Sequence, residues 1–283
     1  MSAFALGARA ARWGAALLVA GAILAPRAAA ASGFRCSRAE ANQGPSLNWD
    51  QRRVEWGLSP SLPQAVRGDV EAAIAEIRRA FQAWTDVECS DLVLDFQGTD
   101  PGYAPGFNRS GLNENVVGYR TDWPHDPEAI ALTFTAFAVH TGTLLDADIE
   151  LNGEGFSFVL ADDGCRDAVD VRNVMTHEVG HLLGLDHPPR TPRNVEATMF
   201  GNAPLCETTK RTLAEGDIEG LCTIYPRGQP TQQCFAPGTV GFEVVETDDG
   251  FEGGCRSVPA EAGVSLFALW VAAVGLRKRR DEA

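Results

Sequence analysis

Three of the chain's five histidines, His177, His181 and His187, fall within eleven residues. The first two are four apart, and on a helix that spacing puts both imidazoles on one face, one turn apart, where they can share a tetrahedral zinc. Glu178 directly follows the first of them. Its carboxylate therefore points beside such a metal and not onto it, as a base acting on a water in the open fourth position requires. Gly184 can leave the helix with positive φ and turn the chain back. His187 then completes three protein ligands, the number a catalytic zinc takes. The full run His-Glu-Val-Gly-His-Leu-Leu-Gly-Leu-Asp-His is far more specific than its first five residues alone. A cluster of solvated or core histidines would leave this crowding unexplained.

Something must hold these side chains, and the hydrophobic pattern supplies it. Asp170 is a suitable N-cap for a helix that carries His177, Glu178 and His181. Val70, Ile74, Ile77, Phe81 and Trp84 are spaced by four, three, four and three, which predicts an amphipathic helix. Strands are predicted at 52–58, 92–96, 115–119 and 130–137, with loops rich in Gly, Pro, Asn and Asp between them. From Asp146 to Asn152 the chain alternates strictly. Asp146, Asp148, Glu150 and Asn152 share one face, and Ala147, Ile149 and Leu151 share the other, a half-buried strand. A strand, a long helix, several strands and then two helices predict an α/β or α+β sheet domain ending near Pro226.

Residues 177–187 resemble the zinc-binding signature of the metzincin peptidases, and Leu183-Gly184-Leu185-Asp186-His187 is most similar to the matrixin branch. Ala197-Thr198-Met199-Phe200 resembles that clan's Met-turn, which implies Met199 as a hydrophobic floor beneath the zinc; plain core packing is the other reading. Leu213 to Pro226 is similar to the matrixins' closing helix. The resemblance covers residues 50–226. It implies an α+β fold with a twisted, mostly parallel five-stranded sheet, long helices and a small C-terminal subdomain, with the zinc in a cleft. The implied activity is hydrolysis of peptide bonds in protein or peptide substrates. Ile130–Phe137 and Thr141–Asn152 resemble the cleft-edge strand and its neighbour, with Ala131, Leu132 and Thr133 as an exposed edge to which an extended substrate adds.

The departures carry information too. Only His125 and His140 are spare, and Asp148 stands where a ligand histidine is expected, so a second, structural zinc is not expected. The Asp146, Asp148, Glu150 face offers oxygen ligands for calcium, with a solvated strand face as the alternative. Other readings of the whole chain are a non-enzymatic surface adhesion module stabilised by zinc, and a zinc hydrolase of a non-peptide bond.

The two ends read as processing segments. Arg9 and Arg12 precede an apolar run and a stretch of small residues, so 1–31 is expected to be a signal peptide. Residues 32–226 then form the catalytic domain, 227–259 a linker, and 260–283 an apolar segment followed by Arg277, Lys278, Arg279 and Arg280. That ending resembles the sorting tails of myxobacterial exported proteins, which implies Cys255 as a sorting motif and attachment to a membrane or cell surface. A net charge of −14 repels nucleic acid and anionic lipid. Seven cysteines behind a leader predict disulfides and an exported, extracellular or periplasmic protein, expected as a monomer. Cys206 with Cys222 is a plausible local bridge and Cys36 with Cys89 another, while Cys36 could also be imagined as a latency thiolate on the metal.

Overall fold

The computed structural model describes residues 33–40, 43–100, 102–111, 113–161, 164–234 and 264–265. The leader at 1–31, residues 235–259 of the expected linker with Cys255, and all of the tail at 260–283 except Val264 and Ser265 lie outside the described residues. Among the described residues, no helix is long and apolar enough to cross a membrane.

Five strands make the main sheet: β1 (Arg53–Leu58), β2 (Val93–Thr99), β3 (Asn115–Arg120), β4 (Ala131–Phe137) and β5 (Leu144–Asn152). Their spatial order is β2-β1-β3-β5-β4. β1 runs parallel to β2 and to β3, β3 runs parallel to β5, and β4 is antiparallel to β5. This is the mostly parallel five-stranded sheet expected. Val264–Ser265 lies antiparallel beside β4, with Val264 opposite Ala136 and Ser265 opposite Thr135.

Helix α1 (Val70–Thr85) is capped by Asp69, whose side chain accepts the Ala72 N–H. It packs against β2 of the sheet and against the second helix, α2 (Val171–Leu182), which itself rests on β4 and β5. Phe81 stacks on Trp56 of β1 with ring centroids 3.6 Å apart, and the Trp84 indole N–H donates to the Thr176 carbonyl at 2.9 Å. The core thus clamps α2 from behind. A third helix, α3 (Glu215–Ile224), follows a run of turns and ends in Tyr225. Tyr225 accepts the Trp49 N–H at 3.0 Å and donates to the Leu183 carbonyl at 3.0 Å, while the Trp49 indole donates to the Leu182 carbonyl at 2.9 Å. The carbonyls that a helix end leaves unpaired are satisfied this way.

The strand face read as solvated is buried instead. Asp146, Asp148, Glu150 and Asn152 are each at most 8% exposed. β5 is an inner strand, and the segment around Pro105–Phe107 lies over its acidic face. The Gly106 and Val116 N–H groups donate to Asp148, and Arg120 pairs with Glu150 at 3.1 Å. Asp148 and Glu150 thus spend their carboxylates on the protein's own groups, while Asp146 Oδ1 is buried without a hydrogen-bond partner.

Both anticipated cysteine pairings are overturned. The disulfides are Cys36–Cys234, Cys89–Cys222 and Cys165–Cys206. α3 carries Cys222 towards the end of α1, where Cys89 sits, and leaves Cys206 beside the approach to α2, its N–H donating to the Ala168 carbonyl. With Cys36 in a disulfide, it is not a thiolate for the metal. Cys234 also ties down residues 227–234, which the composition reads as linker. The Ser46 N–H donates to the Gln233 side chain at 2.8 Å, and Arg38 donates to the Cys234 carbonyl at 3.0 Å.

Candidate metal centre

α2 begins where Asp170 accepts the Asn173 N–H at 2.8 Å, and the Asp170 carboxylate also binds Arg211 at 2.7 Å. A cap of this kind is worth about 1 kcal/mol. The helix then runs through the core with His177, Glu178 and His181 almost fully buried. Two glycines let it fit. A Cβ on Gly180 would lie 2.1 Å from Met199 Sδ, so this position is where Met199 packs directly against the helix. Gly184 has φ +90°, and a Cβ there would meet the Leu47 carbonyl oxygen at 2.1 Å. That turn sends the chain back so that His187 faces the helix.

The Nε2 atoms of His177, His181 and His187 lie 3.0, 3.1 and 3.2 Å from one another. Among the described residues, only this group brings three ligand-type side chains together in a way that could hold a metal ion. The His177 Nδ1–H donates to the Thr198 carbonyl at 2.6 Å, and the His181 Nδ1–H donates to the Leu185 carbonyl at 2.8 Å. With both protons committed at Nδ1, the Nε2 atoms of His177 and His181 present lone pairs to each other at 3.1 Å with no proton between them. Burial pushes all three imidazoles towards the neutral form, His187 down to about 2, helped by the neighbouring His181 and by the charges of Arg190 and Arg35. Two facing lone pairs repel unless a cation sits between them, and His187 Nε2 converges on the same focus. Ligand nitrogens about 2.0–2.1 Å from a tetrahedral zinc stand about 3.3 Å apart, close to the spacing seen, so the residues fit a zinc ion.

Glu178 lies beside this focus. The Thr133 hydroxyl of β4 donates to Glu178 Oε2 at 2.7 Å, while Oε1 is buried without a hydrogen-bond partner. Burial pushes the Glu178 carboxyl up to about 7, and the bond from Thr133 pulls the other way.

Of the residues anticipated, the structure brings together the three histidines, Glu178, Met199 and Thr133. Ala131 and Leu132 neighbour Thr133 on β4, but all three are buried and not an open edge. Ala131 joins the main core, and Leu132 packs with Trp123, Ala129 and Phe134. Sequence reasoning missed the supporting shell. Asp217 of α3 accepts the Thr198, Met199 and Ala214 N–H groups at 2.8, 3.1 and 2.8 Å, holding the turn that offers Thr198's carbonyl to His177. The Ser37 hydroxyl shares the Leu185 carbonyl with His181. Only Asp217, an acid three residues beyond a helix start that lacks a capping side chain, left any trace in the sequence.

The family model described as Matrixin matches residues 48–226. Interstitial collagenase of Oryctolagus cuniculus is 28% identical over 199 residues, 68% of this chain and 36% of that protein. Metalloendoproteinase 2-MMP of Arabidopsis thaliana is 25% identical over 236 residues, 80% of this chain and 54% of that protein. Metalloendoproteinase 1 of Glycine max is 40% identical over 58 residues, 20% of this chain and 17% of that protein. The chain therefore spans only about a third to a half of the length of the first two relatives. The family match takes in well over half of the chain, including the sheet, all three histidines and α3, and this chain belongs to the matrixin family.

Proposed function

We propose that the protein is an exported zinc-dependent endopeptidase that hydrolyses peptide bonds in protein substrates, with His177, His181 and His187 holding the zinc and Glu178 as the base. The observation that carries this reading is the convergence of three imidazoles, two buried and His187 partly so, beside a carboxylate with one free oxygen. Zinc bound there supplies a Lewis acid that acidifies a bound water and polarises the scissile carbonyl. Glu178 Oε1 takes the proton of the attacking water and passes it to the leaving amine. The buried site keeps bulk water from competing for that proton. Export is supported by three disulfides, which persist in oxidising compartments. Attachment to a membrane or cell surface through the tail belongs to the same reading, as does action as a monomer.

Replacing Glu178 by Gln keeps the volume and removes the base. The variant should retain about one zinc per chain and lose turnover of denatured casein by a factor of about 10³ or more. Retained turnover would sink the assignment of the base, and wild-type turnover that survives a zinc chelator would sink the metal.

A further inference from the structure

We propose that Thr133 is a positioning residue that aims the Glu178 carboxylate, an inference that rests on the reading of Glu178 as the base. Its hydroxyl lies 2.7 Å from Glu178 Oε2 and 3.1 Å from the Glu178 backbone carbonyl oxygen. Both residues are nearly inaccessible, Thr133 at 2% and Glu178 at 1% exposure. A hydroxyl carries one proton and accepts as well. It donates to Oε2, which remains an acceptor whether the carboxyl is ionised or carries its proton on Oε1. The side chain thus stays bonded through both halves of a proton transfer, which an alanine or valine could not do.

The placement is stiff at both ends. Thr133 is β-branched, with few χ1 choices, and sits in the β4 ladder opposite Ile149 of β5. Glu178 is in the middle of α2. The bond occupies Oε2 and leaves Oε1 buried and unpartnered, so one oxygen is anchored while the other stays available to substrate water. Without the anchor, a buried glutamate carboxyl can rotate about its last torsion, which is broad and only weakly restrained. The base then spends less time in the reactive orientation, and the loss falls on turnover rather than on substrate binding.

The test compares wild type with Thr133→Val, Thr133→Ser and Glu178→Gln for kcat and KM on a quenched fluorescent peptide, zinc content and thermal melting. Thr133→Val should lower kcat roughly ten- to hundredfold with KM within about twofold and zinc retained. Thr133→Ser, which restores the hydroxyl, should recover most of the loss. Should Thr133→Val fail to fold, Thr133→Ala, which puts no methyl against the carboxylate, carries the same comparison. Wild-type kcat in the valine and alanine variants, or a serine variant as slow as valine, would overturn the positioning role while an inactive Glu178→Gln left the base assignment standing. A wild type that does not cleave, or an active Glu178→Gln, would remove the reading on which the proposal rests and the proposal with it.

Discussion

Asp148 spends both carboxylate oxygens on backbone N–H groups and still lies against Asp146, two residues along the same strand face. Burial pushes both carboxyls up, and Asp148 is raised further by the charges of Asp146 and Glu150. Arg120 and His125 line the same cavity of about 240 Å³. The folded chain therefore keeps protons that the unfolded chain gives up near pH 4. Folding is linked to that extra protonation, so the stability it confers is full below the unfolded value and is lost as pH rises through the raised folded values. Asp146→Asn keeps a hydrogen-bonding side chain beside Asp148 and removes one of the two charges. Its urea midpoint should fall less than that of wild type between about pH 5 and about pH 8; parallel profiles would show that the two carboxyls do not compete. The histidines and Glu178 were legible because a helix fixes the geometry of residues one and four apart. The burial of Asp146 and Asp148 was not, because alternation tells which residues share a face and nothing about what covers it. Thr133 was legible as a strand residue and not as a partner of Glu178, since the two are 45 residues apart.

At the scale of elements, the strands and α1 lie within a few residues of where the period-2 and period-3.6 patterns place them. The lengths of α2 and its exit were set by Gly184, whose φ of +90° and contact with the Leu47 carbonyl tolerate no side chain. The same turn delivers Leu185's carbonyl to His181 and the chain onward to His187. Gly184→Ala should therefore act twice: a loss of about 2 kcal/mol or more in folding stability from backbone strain and overlap, and a weaker hold on zinc. Denaturant melts with zinc bound and removed, together with chelator competition, separate the two effects. An alanine variant with unchanged stability and zinc affinity would show that the turn can relax and that the third ligand does not depend on it. Tyr225 is a different kind of element-level feature. Its bonds to Trp49 and Leu183 join three distant segments, and no local pattern announces such a knot.

Across the whole molecule, local patterns are weakest, and the cysteines show why. Proximity in sequence favoured Cys206 with Cys222, yet α3 separates their directions and the fold pairs Cys222 with Cys89 across 133 residues. The loop so closed contains β2 to β5, α2 and the metal centre. Cross-linking a long loop restricts the unfolded chain far more than it shapes the folded one, and a bridge of this kind is worth about 2–4 kcal/mol. The same corner is also held without covalent help: the Arg227 N–H donates to the Cys89 carbonyl at 2.9 Å and the Gly228 N–H to Asp91 at 2.9 Å. The double variant Cys89→Ala, Cys222→Ala should accordingly melt about 5–12 °C lower. Below its own transition it should keep its zinc and cleave peptide at close to the wild-type rate. A variant that melts like wild type would show that the unfolded chain gains nothing from release of the loop. One that loses zinc while still folded would show instead that the bridge, and not the hydrogen-bonded corner, sets the approach of α3 to the turn that carries Thr198 and Met199.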